Sequence, residues 1–115
     1  MSKLLCALVL AAGVSAADDA KVTRLMMKDL AGPAVKTATM VTVEYPPGGS
    51  SPEHRHNANT FVYVLEGSIV MQVKGGKAVT LGPGETFYES PDDIHTVSRN
   101  ASATKPAKFL VVLVK

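Results

Sequence analysis

Glycine and proline clusters recur along this chain at intervals too short for an ordinary helix, and that spacing constrains the fold more than any other feature. Pro46-Pro47-Gly48-Gly49, Glu66-Gly67, Gly75-Gly76, Gly82-Pro83-Gly84 and Ser90-Pro91-Asp92-Asp93 each break regular structure. Between them, residues 40–45, 60–65, 68–73, 77–81, 86–88, 94–98 and 109–114 are rich in apolar and β-branched side chains. Residues 68–73 alternate, with Ile69, Met71 and Val73 on one face, and read as a hairpin with 60–65 across Glu66-Gly67. Residues 77–81 read as the return strand of a second hairpin through Gly75-Gly76. Only residues 22–30 stay ambiguous between a strand and a short helix. The predicted class is all-β, a sandwich or barrel.

A chain of 115 residues has room for one domain, which buries roughly two thirds of its unfolded surface. The first residues read apart from it. Lys3 precedes an apolar run over residues 4–12, then Gly13 and the small residues Ser15, Ala16 and Ala17, the layout of a secretory signal peptide cleaved after Ala16 or Ala17. A packed N-terminal helix is the other reading, but the run is too short to span a bilayer and carries no amphipathic pattern. The expected division is therefore a signal over residues 1–17 and a barrel over 18–115, with export to a periplasm or to the outside. Removing the signal also removes Cys6, the only cysteine, so no disulfide supports the mature core. Eleven basic residues against ten acidic then remain, and no basic stripe marks the chain for nucleic acid or an anionic membrane.

Residues 61–65, Phe-Val-Tyr-Val-Leu, are apolar on both faces of a strand. A strand with one face in a barrel and the other in water would expose large side chains, so a cover is expected. A second subunit, giving a homodimer, and the N-terminal segment are equal candidates.

All three histidines fall in two places: His54 and His56 after the first breaker cluster, and His95 in the penultimate strand. Alternate side chains of an extended segment share a face, so His54 and His56 project together while Arg55 points away. Imidazole suits a borderline divalent ion, and His95 is the remaining candidate for a third ligand. An H-x-H pair alone is served equally well by ordinary histidines with local hydrogen bonds.

The chain resembles the cupins. Their first motif, G-x5-H-x-H-x3-4-E-x6-G, is met by Gly48, His54, His56 and Gly67, with Thr60 in the glutamate position. Their second, G-x5-P-x-G-x2-H-x3-N, is met by Gly84 and His95, while Ser90, Asp92 and Arg99 replace the proline, glycine and asparagine. Pro91 and Asn100 lie one step away. The resemblance runs from about Thr39 to the C-terminus and includes the string Phe61 to Gly67. It implies a double-stranded β-helix, or jelly-roll barrel, holding one divalent transition metal (Fe, Mn, Zn, Ni or Cu) through His54, His56 and His95.

Thr60 changes what such a site would do. Three neutral imidazoles leave a divalent ion its full charge, with open positions, stronger Lewis acidity and a preference for small anionic ligands such as carboxylates or enolates. The Thr60 hydroxyl either bonds a metal-bound water or fills vacated space. Glu53 has the parity of Arg55, and Glu44, Glu66, Glu85 and Glu89 read as solvated turn or strand-face residues. The resemblance implies dioxygenase, decarboxylase or isomerase chemistry on a small molecule, with Tyr63 and Glu89 as acid or base candidates that strand parity alone does not place. A barrel that binds or senses a small molecule or metal without turnover is the alternative. Asn100-Ala101-Ser102 is formally a glycosylation sequon.

Overall fold

A computed structural model describes residues 20–34 and 36–115. The expected signal over residues 1–17 lies outside them. The described residues form nine strands and no helix: β1 Lys21–Leu30, β2 Lys36–Tyr45, β3 Ser50–Ser51, β4 Asn59–Glu66, β5 Ile69–Val73, β6 Val79–Leu81, β7 Thr86–Glu89, β8 His95–Asn100 and β9 Ala107–Val114. The ambiguous segment is thus strand β1. Two antiparallel sheets face each other, ordered β1-β2-β9-β4-β7 and β3-β8-β5-β6. This is the jelly-roll arrangement that the resemblance implies.

One sequence expectation fails. β4 and β5 are not a hairpin, because β4 pairs with β7 and β9 while β5 pairs with β6 and β8 in the other sheet. The turn between them is a corner of the barrel. Gly67 makes the corner with φ of 73°, and a Cβ there would lie 2.5 Å from the Pro106 carbonyl oxygen. Only glycine permits both the left-handed backbone and so close an approach. The second hairpin stands, with β5 and β6 joined through a turn closed by Gly76 N–H to Val73 O at 2.9 Å.

The core follows the period of two. Val62 and Val64 of β4, Phe109 and Val111 of β9, and Ile69 and Met71 of β5 interdigitate between the sheets around Tyr45. Their neighbours on β4 turn outward, leaving Phe61 48% and Tyr63 45% exposed beside Leu65 and Tyr88. Among the described residues nothing covers the second face of β4. That outward turn also removes Tyr63 from the barrel interior, where an acid or base would have to act.

Candidate metal centre

Backbone pairing builds the site. After the Pro46-Pro47-Gly48-Gly49 turn the chain forms the two-residue strand β3, which pairs with β8 through Ser50 and Ser51. His54 then makes an isolated antiparallel bridge with His95: His54 N–H donates to His95 O at 3.2 Å, and His95 N–H to His54 O at 2.8 Å. Directly paired residues share a face of the sheet, so this bridge sets the first motif histidine against the second. The His54 ring centroid lies 5.0 Å from that of His95 and 4.4 Å from that of His56. Past His56 the chain reverses through Asn57, whose φ of 56° suits an asparagine, and enters β4.

The ring nitrogens converge. One ligand atom from each of His54, His56 and His95 lies within 4.8 Å of the other two. An ion about 2.0 to 2.2 Å from each nitrogen asks for a span of this order. Nδ1 of His54 lies 2.7 Å from the Pro52 carbonyl, to which only a protonated nitrogen donates, so Nε2 keeps its lone pair. That Nε2 is 2.9 Å from Nε2 of His56. Burial lowers the basicity of His56 below the usual imidazole value, the neighbouring His54 charge lowers it further, and the Glu89 carboxylate pulls the other way. A neutral imidazole is the form that donates a lone pair to a metal. The donor set fits a borderline divalent ion, and the three histidines together could hold one.

Thr60 is 1% exposed, and its hydroxyl donates to the Ala58 carbonyl at 3.3 Å. Of the two roles left open by the sequence, this bond supports space-filling. Glu89 corrects the sequence reading. It is no solvated strand-face residue but 2% exposed, at the inner end of β7 and directly across from Thr60 in the β4–β7 register. Its Oε2 is 3.1 Å from Nδ1 of His95, itself 3% exposed. The angle is not that of a hydrogen bond, and both Glu89 oxygens and both His95 nitrogens are buried without a hydrogen-bond partner. In the sequence only the empty glutamate position at Thr60 hinted that the acid lay elsewhere.

The histidines and Glu89 open on a cavity of about 250 Å³. Valines 41, 43, 62 and 111 with Leu113 form an apolar wall. A second polar group lies in the same lining: Tyr45 hydroxyl contacts Ser51 Oγ at 2.5 Å and Ser98 Oγ at 2.7 Å, and burial raises its pKa above the usual phenol value. Asn100 anchors the other end of β8. Its amide donates to Pro46 O at 3.1 Å and Lys105 O at 2.7 Å, and its Oδ1 accepts from Ser102 N–H at 2.9 Å. A side chain held this way is a structural clamp and no acceptor for a glycan.

Comparison with known proteins places this geometry. A family model described as "Cupin domain" matches residues 41–113. Among solved structures the chain is similar to the DMSP lyase DddQ of Ruegeria pomeroyi DSS-3, with 25% identity, a TM-score of 0.60 and coverage of 66% of this chain and 37% of that one. It is similar to an RmlC-like cupin family protein with a double-stranded β-helix fold from Methanocaldococcus jannaschii, with 15% identity, a TM-score of 0.66 and coverage of 84% and 81%. It is also similar to an oxalate oxidase in complex with the substrate analogue glycolate, with 25% identity, a TM-score of 0.63 and coverage of 82% and 50%. The Methanocaldococcus likeness speaks for the fold alone. This chain spans 37% of the length of the DMSP lyase and 50% of that of the oxalate oxidase. No curated protein matches it.

Proposed function

The chain belongs to the cupin family, and on that premise we propose that it is an exported protein that holds one divalent transition-metal ion through His54, His56 and His95 and binds, or acts on, a small anionic ligand beside it. The convergence of three ring nitrogens, one from a buried and two from half-buried histidines, carries the reading. A bound ion would supply Lewis acidity toward a carboxylate or enolate oxygen. The chain's own residues do the rest. His54 is oriented by Pro52, and the valine wall excludes water and sets the size of the ligand. A cavity of about 250 Å³ lies below the roughly 300 Å³ at which ordinary ligand pockets begin, so the ligand has few heavy atoms. Glycolate, the analogue bound by the similar oxalate oxidase, is a carboxylate of that size. Residues 1–17 serve as the export signal, and a second copy covers the outer face of Phe61, Tyr63 and Tyr88, giving a homodimer.

Elemental analysis of the protein purified from its native compartment tests the centre. One equivalent of metal, lost in His54→Ala, His56→Ala and His95→Ala, is expected, and metal kept by all three variants overturns it. N-terminal sequencing of the same sample reads the cleavage site, and light scattering reads the dimer. Binding without turnover is the second reading, favoured by a lining that is mostly apolar away from the metal end. A ligand that raises the melting temperature yet is recovered unchanged would select it.

A further inference from the structure

Glu89 is the acid that the proposed centre leaves unused. A carboxylate is costly to bury unless it is paired, and all four side-chain polar atoms of the Glu89–His95 pair lack a hydrogen bond. Their separation of 3.1 Å is nevertheless that of an N–H···O bond, which a rotation that brings the N–H into line would close. His54 shows the pattern in finished form, with Nδ1 committed to an outer partner and Nε2 turned to the centre. His95 has one group in the equivalent place, and it is Glu89. The acid is not among the atoms close enough together to share an ion, so its place is behind a ligand.

We propose that Glu89 is a positioning residue for the metal centre: it accepts the Nδ1 proton of His95, fixes that ring with Nε2 toward the ion, and sets a negative charge against the site without occupying a coordination position. This inference rests on the three-histidine reading. The cross-strand register gives it a further meaning, because Glu89 faces Thr60, the place from which the family motif supplies a ligating glutamate. In this chain the carboxylate comes from the next strand, one side chain removed from the metal. The charge is kept and a position for the anionic ligand stays open.

The test uses the full-length chain with cobalt(II) as probe. Glu89→Ala is expected to weaken cobalt binding about 10- to 100-fold. In metal-free protein, long-range ¹H–¹⁵N spectra of the imidazoles should show His95 as the Nδ1–H tautomer in the parent and as a mixture in Glu89→Ala. Glu89→Gln still offers an oxygen to Nδ1–H, so it should keep the tautomer, recover part of the affinity and leave the cobalt absorption bands in place. If Glu89→Ala does not fold, Glu89→Gln decides. Parent-like affinity and tautomer in Glu89→Ala, parent-like affinity in Glu89→Gln where only that variant folds, or bands that shift in Glu89→Gln because an oxygen ligand is lost, overturns the proposal. Failure of the parent to bind cobalt would instead refute the metal centre, and the tautomer would still report on the contact.

Discussion

Replacing Tyr45 by phenylalanine removes one oxygen and leaves the ring packed against Phe109, whose centroid is 5.4 Å away. The measured effect is therefore that of the hydroxyl. It makes two hydrogen bonds, to Ser51 and to Ser98, each worth about 1 kcal/mol net. Among the described residues Ser98, 5% exposed, has no other hydrogen-bond partner for its hydroxyl, whereas Ser51 reaches solvent. Leaving one buried hydroxyl unsatisfied raises the total to about 2 to 3 kcal/mol. In a domain of this size each kcal/mol moves the melting temperature by about 4 to 8 °C, so a fall of about 10 to 20 °C is expected. Urea unfolding of Tyr45→Phe, Ser98→Ala and the double variant reads it directly, and the double variant should cost much less than the sum of the singles. A Tyr45→Phe protein within 0.5 kcal/mol of the parent, a margin usual for surface changes of about that size, would refute the view that this hydroxyl joins β2 to β3 and β8.

Tyr45 also carries a pH dependence. Its phenol is held above the usual value of 10 by burial, so the neutral form is favoured by folding; the contribution is intact below pH 10 and is lost as pH rises through the folded value. Ultraviolet titration of the Tyr63→Phe, Tyr88→Phe double variant, which leaves Tyr45 the sole tyrosine, should show ionisation above 10; ionisation at or below 10 in the folded protein would contradict it. Gly67→Ala should destabilise by about 2 kcal/mol or more through the left-handed backbone and the clash with Pro106, with a matching drop in the urea midpoint. Asn100→Ala removes three hydrogen bonds and should cost about 3 kcal/mol, read in the same assay.

Seven strands were legible because they are rich in β-branched and apolar residues and set off by glycine, proline or polar turns, and the two motif histidine segments because parity and spacing are local; β1 reads equally as a short helix, and the two-residue β3 carries no signal of its own. What escaped depends on pairing between distant segments. The run from Phe61 to Leu65 showed two apolar faces, yet nothing in it told whether it would turn back on its successor or cross to the other sheet. The corner at Gly67 is dictated by Pro106 and Ala107, some forty residues away. Glu89 reads two ways in sequence, as a solvated residue or as a candidate acid or base, for the same reason. Beside Ser90-Pro91 it looks like a turn residue, and only the register with Thr60 puts it indoors. Tyr63 has no place in sequence alone, because which face of β4 is inward depends on the opposite sheet, which buries Val62 and Val64.

The frame that holds the histidines is made of contacts between protein groups alone. The reciprocal bridge of His54 with His95 fixes the two motifs in register, Tyr45 ties β3 to β8 immediately before the H-x-H segment, and Asn100 ties the far end of β8 to the turn that precedes it. Folding of such a site is expected not to require the ion, unlike a zinc finger, in which metal binding is the folding free energy. A chelator should then leave the β-sheet circular dichroism intact and lower the unfolding free energy only by the linkage amount, about 2.7 kcal/mol at a hundredfold excess of free metal over its dissociation constant. Cooperative loss of the sheet signal on chelation would show that the bridge and the two clamps do not suffice.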